Sequence, residues 1–234
     1  MVRDTFEPLV RVGEVFPERL PDALFERFSS EVGYELYPDT LPFLRQMREW
    51  KRNPPRELRE SKVVLGVLTN SDPRVVGVLR SLGLRVGEGG QQQQQQQHDM
   101  QNEMDLNFVL TSYESGHEKP SPAMFEKAER LASTVIRRQD QPSSDEDGLG
   151  DVVKVHIGDD LDQDFWGAKR AGRGWDAILL DRGGAEKQEK PPNKGVEHII
   201  TKLTDAPEAL ISCCKNHHAE ADDFAGAGTM PVDS

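Results

Sequence analysis

The sequence predicts an α/β fold, a parallel sheet with helices on both faces. Three observations predict it. Short continuous apolar runs recur from residue 62 onward, beginning with Val63-Val64-Leu65-Gly66-Val67-Leu68, as expected of strands buried on both sides. Stretches with apolar residues at helical spacing separate these runs, so strand and helix alternate to about residue 211. Polar and charged residues stand directly after the strand runs, at the carboxyl ends where doubly wound sheets bind ligands.

Composition narrows the function classes. The chain has 234 residues, 35% hydrophobic and 30% charged, which suits one large domain or one domain with a smaller appendage. Acids outnumber bases 41 to 29, a net charge of -12, the opposite of a phosphate-backbone binder, so nucleic acid is not an expected partner. No apolar run is long enough to span a bilayer, and no membrane partner is expected. The start, MVRDTFEPLVRVGE, carries no secretory h-region. Cys213 and Cys214 are adjacent and cannot staple distant parts of the chain, which fits a reduced compartment.

The elements follow in order. Val2, Phe6, Leu9 and Val10 fall on one face of a short helix. Pro21-Asp22 opens a second helix, with Leu24, Phe25, Phe28 and Val32 on its inner face. Asp39 is placed to cap a third, whose apolar positions are Leu41, Leu44, Met47 and Trp50. After the first strand, a helix spans residues 73–82 and Gly83 ends it. Residues 107–111, 152–157 and 175–180 read as strands, with helices over 122–132 and 162–171 between them. Ile199-Ile200 and a short helix near 207–211 close the pattern.

Three segments lack the periodicity to bury a face and read as disordered: insertions at 87–105 and 137–150, and a tail at 212–234. The first insertion holds seven consecutive glutamines, Gln91–Gln97. Self-association through that run is one reading, and a tolerated expansion of a surface loop is the preferred one. Cys213-Cys214 with His217-His218 has the composition of a soft-metal tract but not the paired spacing of a structural zinc site.

The strand ends carry the chemistry. Thr69-Asn70-Ser71-Asp72 follows the first strand, a loop to Lys119-Pro120 follows the second, and Ile157-Gly158-Asp159-Asp160-Leu161-Asp162-Gln163-Asp164 follows the third. The last stretch crowds four carboxylates into six positions. Two unit charges about 4 Å apart repel by roughly 4 kcal/mol at an effective dielectric of ~20, so a cation belongs nearby or the acids must fan into water. Together these residues could bind a phosphoryl group and a divalent metal through oxygen ligands. Singly, each has a plainer reading: Thr69 as a turn residue, Lys119 as a solvated loop lysine, Asp160 or Asp162 as a helix cap. Order and spacing, rather than any one residue, carry the functional reading.

VLGVLTNSD, GHEKPSPAMFEKA and VHIGDDLDQDFWGAKRAG resemble motifs II, III and IV of the haloacid dehalogenase-like (HAD) hydrolase superfamily. Within it, the chain resembles the branch of haloacid dehalogenase-like hydrolase domain-containing protein 3, over about residues 30 to 182. The resemblance implies a Rossmann-like core and a mobile cap, of which residues 1–33 are a remnant and 34–211 the core. It implies Mg²⁺ as cofactor and a small phosphate ester as substrate for most members, and dehalogenation for some. It implies that Thr69 binds the transferring phosphoryl group, with Asn70 in the same turn as a substrate contact. Lys119 then steadies the nucleophile and transition-state charge, and also touches substrate. Asp159 ligates the metal, Asp160 assists it or caps the helix, and Asp164 positions the site. Asp162 faces solvent. The branch implies a cytoplasmic or nuclear location.

One part of the family pattern does not appear. Members attack phosphorus with an aspartate at the end of a first, central strand. Asp4 is the only early candidate, and it lacks a preceding apolar strand and a following Gly-Thr. A missing central strand would leave its two neighbours with unpaired backbone groups, at about 1–3 kcal/mol each where buried. The preferred expectation is a chain that begins inside the cap of a phosphatase-type hydrolase and is inactive as written. The alternatives are a non-catalytic binding or regulatory protein and a haloacid dehalogenase-type hydrolase, so enzyme status stays open at this stage. A receiver domain would place its acid pair early rather than late, and a dinucleotide-binding module would need a G-x-G-x-x-G that is absent.

Overall fold

The computed structural model of the chain describes residues 5, 7–10, 15–59, 61–87, 103–139, 152–183 and 195–226. In chain order these form helix α1 (Leu20–Arg27), helix α2 (Thr40–Arg52), strand β1 (Gly66–Thr69) and helix α3 (Arg74–Ser81). Strand β2 (Phe108–Thr111), the single turn α4 (Ser112–Ser115) and the long helix α5 (Pro122–Gln139) follow. Strand β3 (Lys154–Gly158), a π-turn (Leu161–Phe165), helix α6 (Trp166–Ala171), strand β4 (Trp175–Leu180), strand β5 (Ile199–Ile200) and helix α7 (Ala206–Gly226) complete the order.

All the strand pairs are parallel, as the continuous apolar runs require. They form two ladders, β1-β2 and β3-β4-β5. Among the described residues no ladder joins β1 to β3. All four residues of β1 are only half-buried, whereas Ala177 to Leu180 of β4 are buried. The run from Val63 is longer than the strand because Asn107 takes over its pairing. Asn107 N donates to Leu65 O at 2.7 Å, and Leu65 N donates to Asn107 Oδ1 at 2.9 Å.

Alternation along β4 builds the layers. Ile178 and Leu180 pack with Phe43, Leu44, Met47 and Trp50 of α2 and with Cys213 and Cys214 of α7. Ala177 and Leu179 point the other way, to Phe125 of α5 and to Phe165 and Ala168. Helices therefore cover both faces, and the α/β architecture is as expected. Burying each large apolar side chain of this set contributes about 1.5–3 kcal/mol.

Several expectations are corrected. The helix placed near 207–211 runs to Gly226, so most of the segment read as a disordered tail is helical, and Cys213 is only 2% exposed. Its small residues concealed an apolar stripe that docks on the sheet. The edges of the first insertion are ordered: Gly87 N donates to Leu106 O, and Asp105 meets Arg48 at 3.3 Å. Residues 88–102, with the glutamine run, lie outside the described residues, as do 140–150 of the second insertion, whose first residues 137–139 finish α5. Phe25, Phe28 and Val32 are exposed rather than inward. Val2, Asp4 and Phe6 lie outside the described residues. Asp39 does not cap α2 with its side chain; its carboxylate accepts from Arg182 at 2.9 Å and from Leu203 N at 2.7 Å, an option only the folded chain offers.

Candidate functional site

Parallel pairing sets the strand ends side by side. Thr69 of β1 is level with Thr111 of β2, and Gly158 ends β3 opposite Leu179 of β4. Asn70, immediately after β1, acts as a splice between loops. Its Oδ1 accepts from Lys119 N at 2.8 Å, while its Nδ2 donates to Lys119 O at 3.0 Å and to Gln163 Oε1 at 2.9 Å. One amide side chain thus fixes the Lys119 loop against β1 and ties both to the acidic turn. The Lys119-Pro120 peptide is cis.

The Lys119 ammonium donates to Leu68 O at 3.0 Å and to Asp164 Oδ1 at 2.7 Å. Asp164 is buried and collects two further donors. His156 Nε2 lies 3.0 Å from Oδ1, and Asp160 N donates to Oδ2 at 3.1 Å. Because the acceptor is a carboxylate, His156 Nε2 carries the proton of that bond. Burial by itself would raise the Asp164 carboxyl, but hydrogen bonds from His156 and Lys119 outweigh it and hold the group well below the usual carboxylate range.

The π-turn makes this convergence. Asp164 N and Phe165 N both donate to Asp160 O, a widened, underwound turn of the kind that recurs at functional sites. Asp160 Oδ1 accepts from Asp162 N at 2.9 Å and Gln163 N at 2.8 Å, so this carboxylate caps the turn. The turn swings Asp164 back over Gly158. A Cβ at residue 158 would lie 2.2 Å from both Asp164 Cγ and Oδ2, so only glycine fits there.

The crowded acids therefore separate. Asp164 turns inward to Lys119 and His156, Asp160 caps the turn, and Asp159 and Asp162 are exposed. Asp159 makes no hydrogen bond or ion pair among the described residues and stands directly after Gly158. The Thr69 hydroxyl, half-buried, likewise has no side-chain partner among the described residues. An open cleft of about 750 Å³ adjoins this rim, lined by Ser71, Asp72, Ser112, Tyr113, His117 and Glu118 among others. Carboxylate oxygens suit Mg²⁺, a hard cation that keeps waters and takes few protein ligands. Asp159, exposed and without a side-chain partner among the described residues, is the residue that would hold such an ion.

Sequence reasoning did not single out His156, the polar residue inside an apolar strand. Its signal was the interruption of Val152-Val153-Lys154-Val155-His156-Ile157 one turn before the acids. The splice role of Asn70 and its Gln163 partner had no local signal, since the contact spans separations of 49 and 93 residues.

Comparison with known proteins bears on the same segment. A HAD-hydrolase-like family model matches residues 117–206, which contain Lys119, Asp159 and Asp164. That segment is similar to the haloacid dehalogenase-like superfamily. This HAD-like chain is 28% identical over 185 residues to an uncharacterized protein of Saccharomyces cerevisiae, covering 78% of the chain and 49% of that relative. It is 30% identical over 142 residues to the Homo sapiens haloacid dehalogenase-like hydrolase domain-containing protein 3, covering 60% of the chain and 43% of the relative. The HAD-like chain thus spans about half the length of the curated relatives it matches. Among solved structures it is similar to a HAD phosphatase from Thermococcus onnurineus, with a TM-score of 0.47 and 22% identity, over 81% of the chain and 64% of that structure. No helix among the described residues is long and apolar enough to cross a membrane.

Proposed function

We propose that the rim formed by Thr69, Asn70, Lys119, Asp159 and Asp164 is the phosphoryl- and Mg²⁺-binding half of a HAD-like phosphohydrolase site. The observation that carries this reading is the placement of Lys119. Its ammonium is held at both ends of its reach, by Leu68 O at 3.0 Å and Asp164 Oδ1 at 2.7 Å, at the carboxyl end of the strand that carries Thr69. A lysine serving only solubility would keep its charge in water; this one is mostly buried, with its position specified to one spot.

The residues divide the work. The Thr69 hydroxyl donates to a phosphoryl oxygen. Lys119 offsets negative charge on that oxygen and needs no movement to do so, because Asp164 and Leu68 hold it in place beforehand. Asp164 stays ionised and keeps the lysine oriented, with His156 and Asp160 N steadying the carboxylate from behind. Asp159 is the ligand for Mg²⁺, which when bound neutralises phosphoryl charge and orients the ester. The cleft beside Ser71 and Glu118 takes the remainder of a small polar substrate.

Nucleophilic attack needs a carboxylate in line with phosphorus, and no described residue supplies one at the β1–β3 slot. The reading is accordingly of a half-site that binds phosphate without turning an ester over. The test is calorimetric titration with inorganic phosphate in the presence of Mg²⁺, alongside an assay of a generic phosphate ester. Mg²⁺-dependent phosphate binding that Lys119→Ala and Asp159→Asn both weaken supports the reading. Absence of Mg²⁺-dependent binding sinks the site assignment. Ester hydrolysis that those substitutions abolish sinks the claim of no turnover.

A further inference from the structure

A second group of ligating side chains lies at the other end of the strands, away from the Lys119 rim. Asp176 is the second residue of β4, His198 directly precedes β5, and Cys213 lies in α7. Their ligating atoms all fall within 4.8 Å of one another. Cys213 is 2% exposed, and the side chain of Asp176 is 22% exposed. His198 Nε2 is buried and has no hydrogen-bond partner among the described residues. A buried imidazole nitrogen left without a partner costs free energy unless something coordinates it.

We propose that Asp176, His198 and Cys213 bind one zinc ion that fastens α7 to the sheet. One thiolate, one imidazole and one carboxylate form a mixed donor set suited to zinc, and the thiolate disfavours Mg²⁺ and Ca²⁺. In a tetrahedral zinc site, ligand atoms stand about 3.3–3.6 Å apart, so the cluster closes by roughly 1 Å. Water takes the fourth position.

The charges set what binding must overcome. Burial, and next Asp176, push the Cys213 thiol up to about 12, so without a cation it stays protonated and hydrogen-bonds to Asp176. Zinc binding breaks the S–H bond, releases that proton to solvent and forms the Zn–S bond. The carboxylate and thiolate then balance the double charge of the ion. Lys169 Nζ at 2.6 Å and Ala177 N at 2.8 Å share Asp176 Oδ1, which leaves Oδ2 for the metal. The lysine charge opposes the cation, and it is the main feature that would limit affinity.

This ligand set is not the tail tract Cys213-Cys214 with His217-His218. Its members come from β4, the β5 approach and α7, with Asp176 and Cys213 far apart in sequence.

The experiment uses the full chain, stripped with a chelator and titrated with Co²⁺ and Zn²⁺. The native protein should take up one Co²⁺ with a sulfur-to-cobalt charge-transfer band and tetrahedral d–d bands. Zn²⁺ should displace it, and about one proton should be released per ion. Cys213→Ser should lose the charge-transfer band, while Cys214→Ser and His217→Ala keep it. His198→Asn should weaken Zn²⁺ binding at least about tenfold, the lower end of what losing even an outer-sphere partner costs. His198→Asn also carries the test if Cys213→Ser fails to fold. The proposal is overturned if the native chain shows no thiolate band, or if Cys213→Ser retains it. It is equally overturned if His217→Ala rather than His198→Asn abolishes binding, which would assign the metal to the tail tract.

Discussion

Lys119 Nζ lies 2.7 Å from Asp164 Oδ1, with the two side chains 12% and 6% exposed. A buried pair of this kind is costly to break from one side, because the surviving charge is left without its partner. Lys119→Met should lower stability by about 3 kcal/mol, and Asp164→Asn by a similar amount, in urea unfolding. The double variant should cost clearly less than the two singles added. Strict additivity in that cycle would mean the pair is not coupled.

Gly158 supplies a second test. The Cβ introduced by Gly158→Ala would sit 2.2 Å from Asp164 Cγ, so the acidic turn must move. The expected loss is about 1–3 kcal/mol, as for other overpacked sites, together with loss of Mg²⁺-dependent phosphate binding. Gly77→Ala is the control. Gly77 lies inside α3, its Cβ would meet only Ser29 O at 4.0 Å, and its φ is unstrained. That substitution should be stabilising by about 0.5–1 kcal/mol. Thermal melts of the two variants that shift alike would contradict the geometry.

Acid should weaken the site in a predictable direction. Asp164 is held well below its reference value of 3.8 despite its burial, through His156 and Lys119. As pH falls below that reference, the unfolded chain takes up a proton that the folded chain still refuses. The unfolded state binds more protons there, so stability falls with pH until the folded carboxyl also protonates. Asp164→Asn should remove this component. Native and variant stabilities, compared by denaturant titration between pH 5 and pH 2, should converge toward the acid end. A constant gap would refute the assignment.

Asp159 and Asp162 are both exposed acids in one short stretch, yet they should behave differently. Asp159→Asn should abolish the Mg²⁺ dependence of phosphate binding. Asp162→Asn should leave it within about a factor of two, a surface change worth no more than ~0.5 kcal/mol. Equal effects in calorimetry would show that the turn recruits metal by bulk charge rather than by one placed ligand.

The splice at Asn70 makes a further prediction. Asn70→Ala removes the bonds to Lys119 N, Lys119 O and Gln163. Phosphate affinity should fall about tenfold or more, while the rest of the fold holds, because β1 pairs with β2 through its backbone and not through this side chain. Unchanged affinity would show that the Lys119 loop holds its shape without the splice.

The sequence by itself determined the alternation of strands and helices, the parallel pairing and the three strand ends where chemistry gathers. It could do so because local periodicity and strand-end residues are properties of short segments. The resemblance to the superfamily rested on the order of those ends. Tertiary structure decided which of four neighbouring acids turned inward, since that rests on the widened π-turn at Leu161–Phe165 and on the space that Gly158 leaves. It also decided that His156 braces Asp164, that Asp39 leaves its helix for Arg182, and that the segment read as a disordered tail is helical to Gly226, with Cys213 and Cys214 in the core. Each of these depends on groups far apart in sequence. Their meeting is set by the packing of whole elements, which no window of residues contains.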